Sequence, residues 1–311
     1  MRIRPFETGD EMSILDLFES SFNRPIDQAW WRWRYLENPI DKPRILLAFD
    51  GATLAGHYAV LPIELTIRSE PRLAALSVAT MTNAGYRGKG VFEKLANALY
   101  GELEREGYFG VFGFPNSLSH LGFVKKLGWR EICAQHSLTL TRGTFQPSVA
   151  SKGWQFETIA ASDARLAAPT ASPQGVRMVW RDAAWKWRIS PPIGEAYKAE
   201  IATPPDGAHT TATIVWKRYG SNSIDLVHYE ASELEPLASL VNHIATSGFS
   251  SGVTLFNTWA SLYDPAHHVF ERAGFRAEGP VTYFAGRVFS GEDVAYDPRD
   301  WRLTMLSSDV Y

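Results

Sequence analysis

The chain repeats itself, and the repeat constrains its fold more than any other feature. Trp31-Arg32-Trp33-Arg34 returns as Trp185-Lys186-Trp187-Arg188. Leu127-Gly128-Trp129-Arg130 returns as Ala273-Gly274-Phe275-Arg276, and Asn116 with Ser119 returns as Asn257 with Ala260. Asn38-Pro39 is matched loosely by Pro191-Pro192. The spacing drifts from 154 (Trp33 to Trp187) to 146 (Gly128 to Gly274) and 141 (Asn116 to Asn257), but the order is kept. Kept order with small insertions is the signature of a duplicated structural unit. A length of 311 residues suits about two such units. The polar, turn-rich stretch 143–153 marks the join. It divides the chain into a first unit (1–142), a linker (143–153), a second unit (154–290) and a tail (291–311).

Within each unit the pattern is α/β. Asp10 and Asp27 stand where helix N-caps would, ahead of Ile14-Leu17-Phe18-Phe22 and of the Trp30–Tyr35 segment. Ile45–Phe49 reads as a strand, and Leu54–Ile67 as one or two strands with Pro62 at a bulge or break. A strand over Leu73–Met81 leads into Thr82-Asn83-Ala84-Gly85-Tyr86-Arg87-Gly88-Lys89-Gly90-Val91 and then a helix from Val91 to about Glu106. A further strand, Tyr108–Phe114, ends at Pro115-Asn116, and a short helix ends at Leu127-Gly128.

The strand, Gly-rich turn and helix start around Gly88 and Gly90 make a seat for a diphosphate. The glycines let the backbone turn sharply, and the first amides of a helix point at an anion with the helix dipole behind them. Arg87 and Lys89 add positive charge. A dinucleotide fold would place such a turn after its first strand as G-x-G-x-x-G, and a P-loop would need Gly-Lys-Ser/Thr. Here the turn follows about the fourth strand, and Gly88-Lys89 is followed by Gly90. The matching stretch of the second unit, Tyr229–Pro236, has no glycine and carries Glu230, Glu233 and Glu235, whose like charge would repel a diphosphate. One diphosphate site per chain is therefore expected.

Two motifs together carry a resemblance. Tyr86-Arg87-Gly88-Lys89-Gly90-Val91 is one; Phe112-Gly113-Phe114-Pro115-Asn116, followed by Ser119, Phe123 and Lys125–Trp129, is the other. They resemble the pyrophosphate loop and the pantetheine-flanking segment of the GNAT superfamily of acyl-CoA-dependent N-acyltransferases. The resemblance covers residues 1 to about 142, with the second half a degenerate copy. It implies two tandem GNAT-like domains in a mixed α/β (α+β) architecture, each a mostly antiparallel sheet flanked by helices. It implies acetyl-CoA or another acyl-CoA as co-substrate, and a neutral primary amine as acceptor in a ternary complex.

The same resemblance places Met81, Thr82, Arg87, Gly88, Lys89, Gly90, Val91, Asn116 and Ser119 on the acyl-CoA. A backbone amide near Met81 or Thr82 would face the thioester oxygen. Gly85 stands where the family loop often has Gln or Arg. Phe123 stands where many members carry a Tyr general acid, so another residue or water must give the proton. Candidates for acid–base work are His120, one turn after Asn116, then His57 on a central strand and Asn83 as a water-positioning group. Each has a blander role: an exposed helix histidine, a core histidine and a loop cap. Tandem architecture with one live site is similar to enzymes that N-acylate amino groups on nucleotide-linked sugars. An aminoacyl-tRNA-dependent transferase and a non-catalytic CoA-binding protein are the alternatives.

Other features exclude rather than identify. A net charge of −3 provides no global field for nucleic acid or an anionic membrane. The single cysteine, Cys133, excludes an intrachain disulfide and fits a cytoplasmic setting. The N-terminus lacks the apolar core of a signal peptide. His267-His268 has no Cys or carboxylate at ligand spacing, so no metal is expected. The expected partner is a small-molecule amine, with no nucleic acid and no membrane, and a homodimer is left open. Asp309 lies in a tail whose default is fraying, although it is placed to reach a cleft between the units.

Overall fold

A computed structural model describes residues 1–147, 153–163, 165–166, 175–207, 209–291 and 293–309. The first unit contains β1 (Arg2–Pro5), α1 (Glu11–Phe22), α2 (Gln28–Leu36), β2 (Arg44–Asp50), β3 (Thr53–Ile67), β4 (Glu70–Thr82), α3 (Val91–Arg105), β5 (Gly110–Gly113), α4 (His120–Leu127) and β6 (Arg130–Thr141). The second contains β7 (Gln155–Ala160), β8 (Val176–Val179), α5 (Asp182–Ile189), β9 (Lys198–Thr203), β10 (Ala212–Tyr219), β11 (Ser223–Ala231), α6 (Leu234–Ser250), β12 (Leu255–Thr258), α7 (Ala266–Ala273) and β13 (Arg276–Val288). A short strand, β14 (Trp301–Arg302), belongs to the tail. Residues 148–152 of the expected linker lie outside the described residues.

All strands join one sheet, whose main path runs β1-β2-β3-β4-β5-β13-β6-β12-β11-β10-β9-β7. The path is symmetric about its centre: β5 matches β12, β4 matches β11, and so outward to β1 and β7. The two central strands are exchanged. β13 of the second unit pairs with β5 and β6 of the first, and β6 of the first unit pairs with β12 and β13 of the second. Each unit therefore completes its sheet with the other's last strand. The duplication read in the sequence is an approximate two-fold relation in space.

The W-x-W-R echo lies on that relation. Trp33 Nε1 donates to the Trp187 carbonyl at 3.1 Å, and Trp187 Nε1 donates to the Trp33 carbonyl at 2.9 Å. The two rings lie 5.4 Å apart. Reciprocal contact of one motif with its copy is what two-fold symmetry demands. Both indoles are buried, so each N–H needs the partner it finds.

Several local expectations are corrected. β3 is a single unbroken strand through Pro62, which pairs with Ala75. The Pro62 carbonyl accepts from Asn38 Nδ2 at 3.0 Å. Its nitrogen points the same way, into the gap between the last β2 pair (Arg44 with Val60) and the first β8 pair (Glu64 with Val179). No ladder donor is required there. Asp27 caps α2 by accepting from Trp30 N, but Asp10 makes no cap bond and instead holds Arg4 through contacts of 2.6 and 2.7 Å.

The tail is not frayed. Trp301, Leu303, Met305 and Leu306 are all buried. Trp301 packs on Phe112 and Phe284 in the first unit's core, whereas Met305 and Leu306 pack with Val215, Val227 and Trp259 of the second. The tail thus ties the two units together, and burial of such side chains contributes about 1.5–3 kcal/mol each.

Candidate acyl-transfer site

The site is built at the place where β4 outruns β5. The two pair only at Ala75–Val111 and Leu76–Phe112, so β4 runs on toward Thr82 with its β5-facing edge unpaired. An unpaired edge is a template for an added strand, which an extended amide-bearing ligand can supply. β4 is also bulged: His57 pairs with Met81 and Ala59 with Val78, leaving Ala79 and Thr80 opposite Tyr58 alone. Ala79 carries φ +42°, a left-handed conformation that costs a non-glycine residue about 1–2 kcal/mol. A conformation of this kind persists where surrounding contacts hold it.

His57 supplies such a contact. Its Nδ1 lies 3.1 Å from the Ala79 carbonyl, so Nδ1 carries the proton and donates. The ring is fully buried, and desolvation holds its pKa down at about 4. Nε2 is buried with no partner. His57 is therefore neither a surface base nor a fully satisfied core histidine. It sits under the bulge and braces it.

Beyond β4, Asn83 Oδ1 accepts from Gly85 N at 3.1 Å and starts a short 3-10 turn, Ala84–Tyr86. This is the capping role. Tyr86 donates to Asp50 Oδ2 at 2.9 Å, anchoring the loop to the β2–β3 turn, and Lys89 Nζ lies 4.7 Å over the Tyr86 ring. Gly88 (φ +76°) and Gly90 (φ +73°) are both left-handed, with open space where a Cβ would stand. Their glycine identity thus serves the turn rather than close packing. Gly56 is different. A Cβ there would meet Val91 Cγ1 at 2.6 Å, so its absence lets β3 draw the start of α3 against the sheet. Under α3, Tyr58, Tyr100, Ser77 and Trp129 share a buried hydrogen-bond network with distances of 2.6 to 2.9 Å.

On the far side of the splay, Asn116 Oδ1 accepts from Leu118 N at 3.0 Å, Ser119 N at 3.1 Å and Ser119 Oγ at 3.2 Å. Asn116 therefore caps the lead-in to α4, and its Nδ2 is the atom left for a ligand. His120 is not an exposed helix histidine: its side chain is 12% accessible, and Nε2 lies 2.5 Å from Glu131 Oε1 on β6. That contact is not aligned as a hydrogen bond, so it is a charge contact when the imidazole is protonated. The ring stacks on Tyr283 of β13, 4.3 Å between centroids. Tyr283 N donates to the Pro115 carbonyl at 3.2 Å.

The structure thus brings Met81, Thr82 and the Arg87–Val91 loop to one side of the splay, and Asn116, Ser119 and His120 to the other. His57 stands behind it. Glu131, Tyr283 and the Ala79 bulge carry no motif. Tyr283 in particular is invisible from the first unit, because it arrives on the exchanged strand. Phe123, in place of the usual Tyr, is buried between Phe92 and Trp129.

The corresponding junction of the second unit is built differently. α3 is separated from β4 by eight residues, Asn83–Gly90, whereas α6 follows β11 after only Ser232 and Glu233. Glu230 is not a free repelling charge. Burial alone would raise its pKa, but His228, Arg302 and Arg177 outweigh that and hold it at about 2, with Arg177 at 2.6 Å and Arg302 at 2.8 Å. β11 pairs with β12 only as far as Leu226–Thr258, and the tail residues Met305 and Leu306 fill the space beyond. His267 Nδ1 lies 3.0 Å from the Ala260 carbonyl. Among the described residues no group of three or more His, Cys, Asp and Glu stands together to hold a metal, and no helix is long and apolar enough to cross a membrane.

The acetyltransferase (GNAT) domain family matches residues 2–132, the span that carries the whole splay and its loop. The first unit is thus similar in sequence to the acetyltransferase domain of the GNAT superfamily. Domains of this family use acetyl-CoA or another acyl-CoA as co-substrate. Solved structures share the fold across nearly the whole chain. A probable N-acyltransferase from Enterococcus faecalis is 13% identical, with a TM-score of 0.69 over 96% of this chain and 73% of that one. A GCN5-related N-acetyltransferase from Anabaena variabilis is 12% identical, with a TM-score of 0.70 over 93% and 72%. A glucosamine N-acetyltransferase region of a fungal multi-domain beta-N-acetylglucosaminidase is 12% identical, with a TM-score of 0.60 over 92% and 38%. No curated protein matches the sequence.

Proposed function

We propose that the chain transfers an acetyl group from acetyl-CoA to the primary amine of an amino sugar, free or nucleotide-linked, by direct transfer in a ternary complex. The observation that carries the acyl-CoA part is the unpaired β4 edge, which ends in the Arg87–Gly90 turn at the start of α3. Pantetheine adds to that edge as a strand, and the diphosphate meets the turn and the first α3 amides. The amino-sugar part is supported by the tandem architecture, and the glucosamine-acetylating region that shares the fold motivates the choice of acceptor panel. The second unit holds no acyl-CoA and shapes the acceptor's side. Cys133 is a single, half-buried thiol whose pKa burial raises to about 11, in keeping with a cytoplasmic setting.

In the transfer, the neutral amine attacks the thioester carbonyl. The new C–N bond forms as the C–S bond breaks, the amine gives up its proton, and the departing thiolate takes one. His120, beside Glu131 and stacked on Tyr283, is the group we assign to that proton. The β4 amides past the bulge face the developing oxyanion.

Thiol release from acetyl-CoA with glucosamine, nucleotide-linked amino sugars, polyamines and amino acids tests this. Release with the amino sugars is expected. Release only with polyamines or amino acids would overturn the acceptor class, and binding without release for any amine would leave a CoA-binding protein instead of an enzyme. His120→Gln should lower kcat by roughly 10²- to 10⁴-fold, the range of a positioned acid–base group, with acetyl-CoA affinity unchanged.

A further inference from the structure

The open edge of β4 has a direction. Its far end, at Thr82, leads into the Arg87–Gly90 turn, and its near end closes where Leu76 pairs with Phe112. A diphosphate on the turn therefore leaves the thiol end of the arm pointing at the apex of the splay, between Ser77 and Gly113. The run from Ser77 to Thr82 spans roughly 16 Å, less the bulge, at about 3.3 Å per strand residue. An extended pantetheine arm takes up that length, and the acyl group is left at the apex.

The apex is tight at its floor and on both faces. At the floor, a Cβ on Gly113 would meet Trp129 Cη2 at 3.1 Å and the Ser77 carbonyl at 3.3 Å, so the two backbones are already in contact. On the α3 face, Ser77 belongs to the hydrogen-bonded set with Tyr58, Tyr100 and Trp129, whose rings are at most 2% exposed. An acyl chain pushed that way would leave buried donors unpaired. On the α1 face stands Phe114, two residues past the Leu76–Phe112 pair and packed against the core that holds Phe112, Ile14 and Leu17. Its ring is half-buried, 4.9 Å from Phe284 on the exchanged strand and 5.3 Å from Trp259 of the second unit. Phe284 is itself backed by Trp301, 4.6 Å away. The second unit and the tail thus hold one first-unit ring beside the apex.

We propose that Phe114 sets the acyl-length limit of the site: its ring closes the α1 face of the apex and holds the donor to a short acyl group, acetyl ahead of longer chains. The proposal rests on the reading of the β4 edge as the acyl-CoA seat. One methylene in an apolar pocket is worth about 10- to 200-fold in discrimination. A hexanoyl chain has to displace the ring or draw the thioester off the edge. Through Trp259 and Phe284 the second unit takes part in choosing the donor.

Calorimetric titration of the full chain with acetyl-, butyryl- and hexanoyl-CoA tests it without any acceptor. Affinity is expected to fall in that order, with hexanoyl-CoA at least about 10-fold weaker than acetyl-CoA. Phe114→Ala should bring the three affinities within about 3-fold of one another. Phe114→Leu, which keeps more of the packing if the alanine variant fails to fold, should bring about part of that change. Lost packing alone would weaken all three alike, so the ratio of affinities reads the limit itself. Equal affinity for acetyl- and hexanoyl-CoA in the wild-type chain would overturn the proposal, and so would a ratio unchanged in the folded variants. Binding of none of the three would instead remove the acyl-CoA seat, and the length limit with it.

Discussion

The strand–helix junctions of the two units have diverged in opposite ways. In the first, β4 and α3 are eight residues apart, two of them left-handed glycines, and the β4 edge past Leu76 is open. In the second, two residues join β11 to α6, the carboxylate at the strand end is clamped by two arginines, and the chain's own tail covers the strand. Along the main path of the sheet the frameworks agree strand for strand, so the difference at these junctions lies in loop length and in what fills the splay. One splay of the duplicated fold is open, and the other is filled by the chain's own residues. Exchange of β6 and β13 means that neither copy is complete alone, and the closed unit still contributes Tyr283 to the open one.

The largest effect is expected where the closed junction is broken. Glu230→Gln leaves Arg177 and Arg302 without their shared carboxylate in a buried setting, a change that costs about 3–5 kcal/mol. Chemical denaturation should show that loss, while acetyl-CoA affinity of the folded protein stays the same. Reduced affinity at full folding would mean the two junctions are coupled.

Next is the open junction. Gly88→Glu with Gly90→Glu forces two side chains into left-handed backbone and puts negative charge on the proposed diphosphate seat. Together these should weaken acetyl-CoA binding by about 3 kcal/mol, or more than 100-fold. Because open space surrounds both positions, circular dichroism should report a folded chain.

His57 gives the first unit's bulge a pH dependence. Its folded pKa of about 4 lies below the unfolded value of about 6.5. The unfolded state therefore binds more protons below pH 6.5, and stability falls as pH drops from about 6.5 to about 4. The loss is at most about 3 kcal/mol. His57→Gln should flatten that window in urea titrations across pH. An unchanged pH profile would remove His57 as its source.

The smallest effect probes the axis itself. Trp33→Phe and Trp187→Phe each delete one buried N–H donor of a reciprocal pair, at about 1–2 kcal/mol apiece. The two losses should agree within about 0.5 kcal/mol, and the double variant should depart from additivity because the rings touch. Strongly unequal losses would break the two-fold account.

Much of this was legible in the sequence because it rests on local chemistry. The W-x-W-R echo marked the duplication, the Arg87–Gly90 glycines marked a left-handed turn at a helix start, and Asp27 marked a cap. Long-range pairing was not legible. Nothing in residues 276–288 announces that this strand leaves its own unit to lie against β5, so Tyr283 and its stacking on His120 stayed hidden. The Ala79 bulge was hidden too, since alanine is no signal for a positive φ. Glu230 misled, because a carboxylate in a row of three looks exposed until Arg177 and Arg302 are placed beside it. The tail misled likewise: Trp301 to Leu306 bury their side chains although they sit near the end of the sequence.

We assign one acyl-CoA site per chain, on the open junction of the first unit. Titration of the full chain with acetyl-CoA by calorimetry tests it most directly. We predict a single class of site with one acetyl-CoA per chain, weakened more than 100-fold by the Gly88/Gly90 substitutions and kept in Glu230→Gln. Two acetyl-CoA per chain, or binding that survives the glycine substitutions, would contradict it.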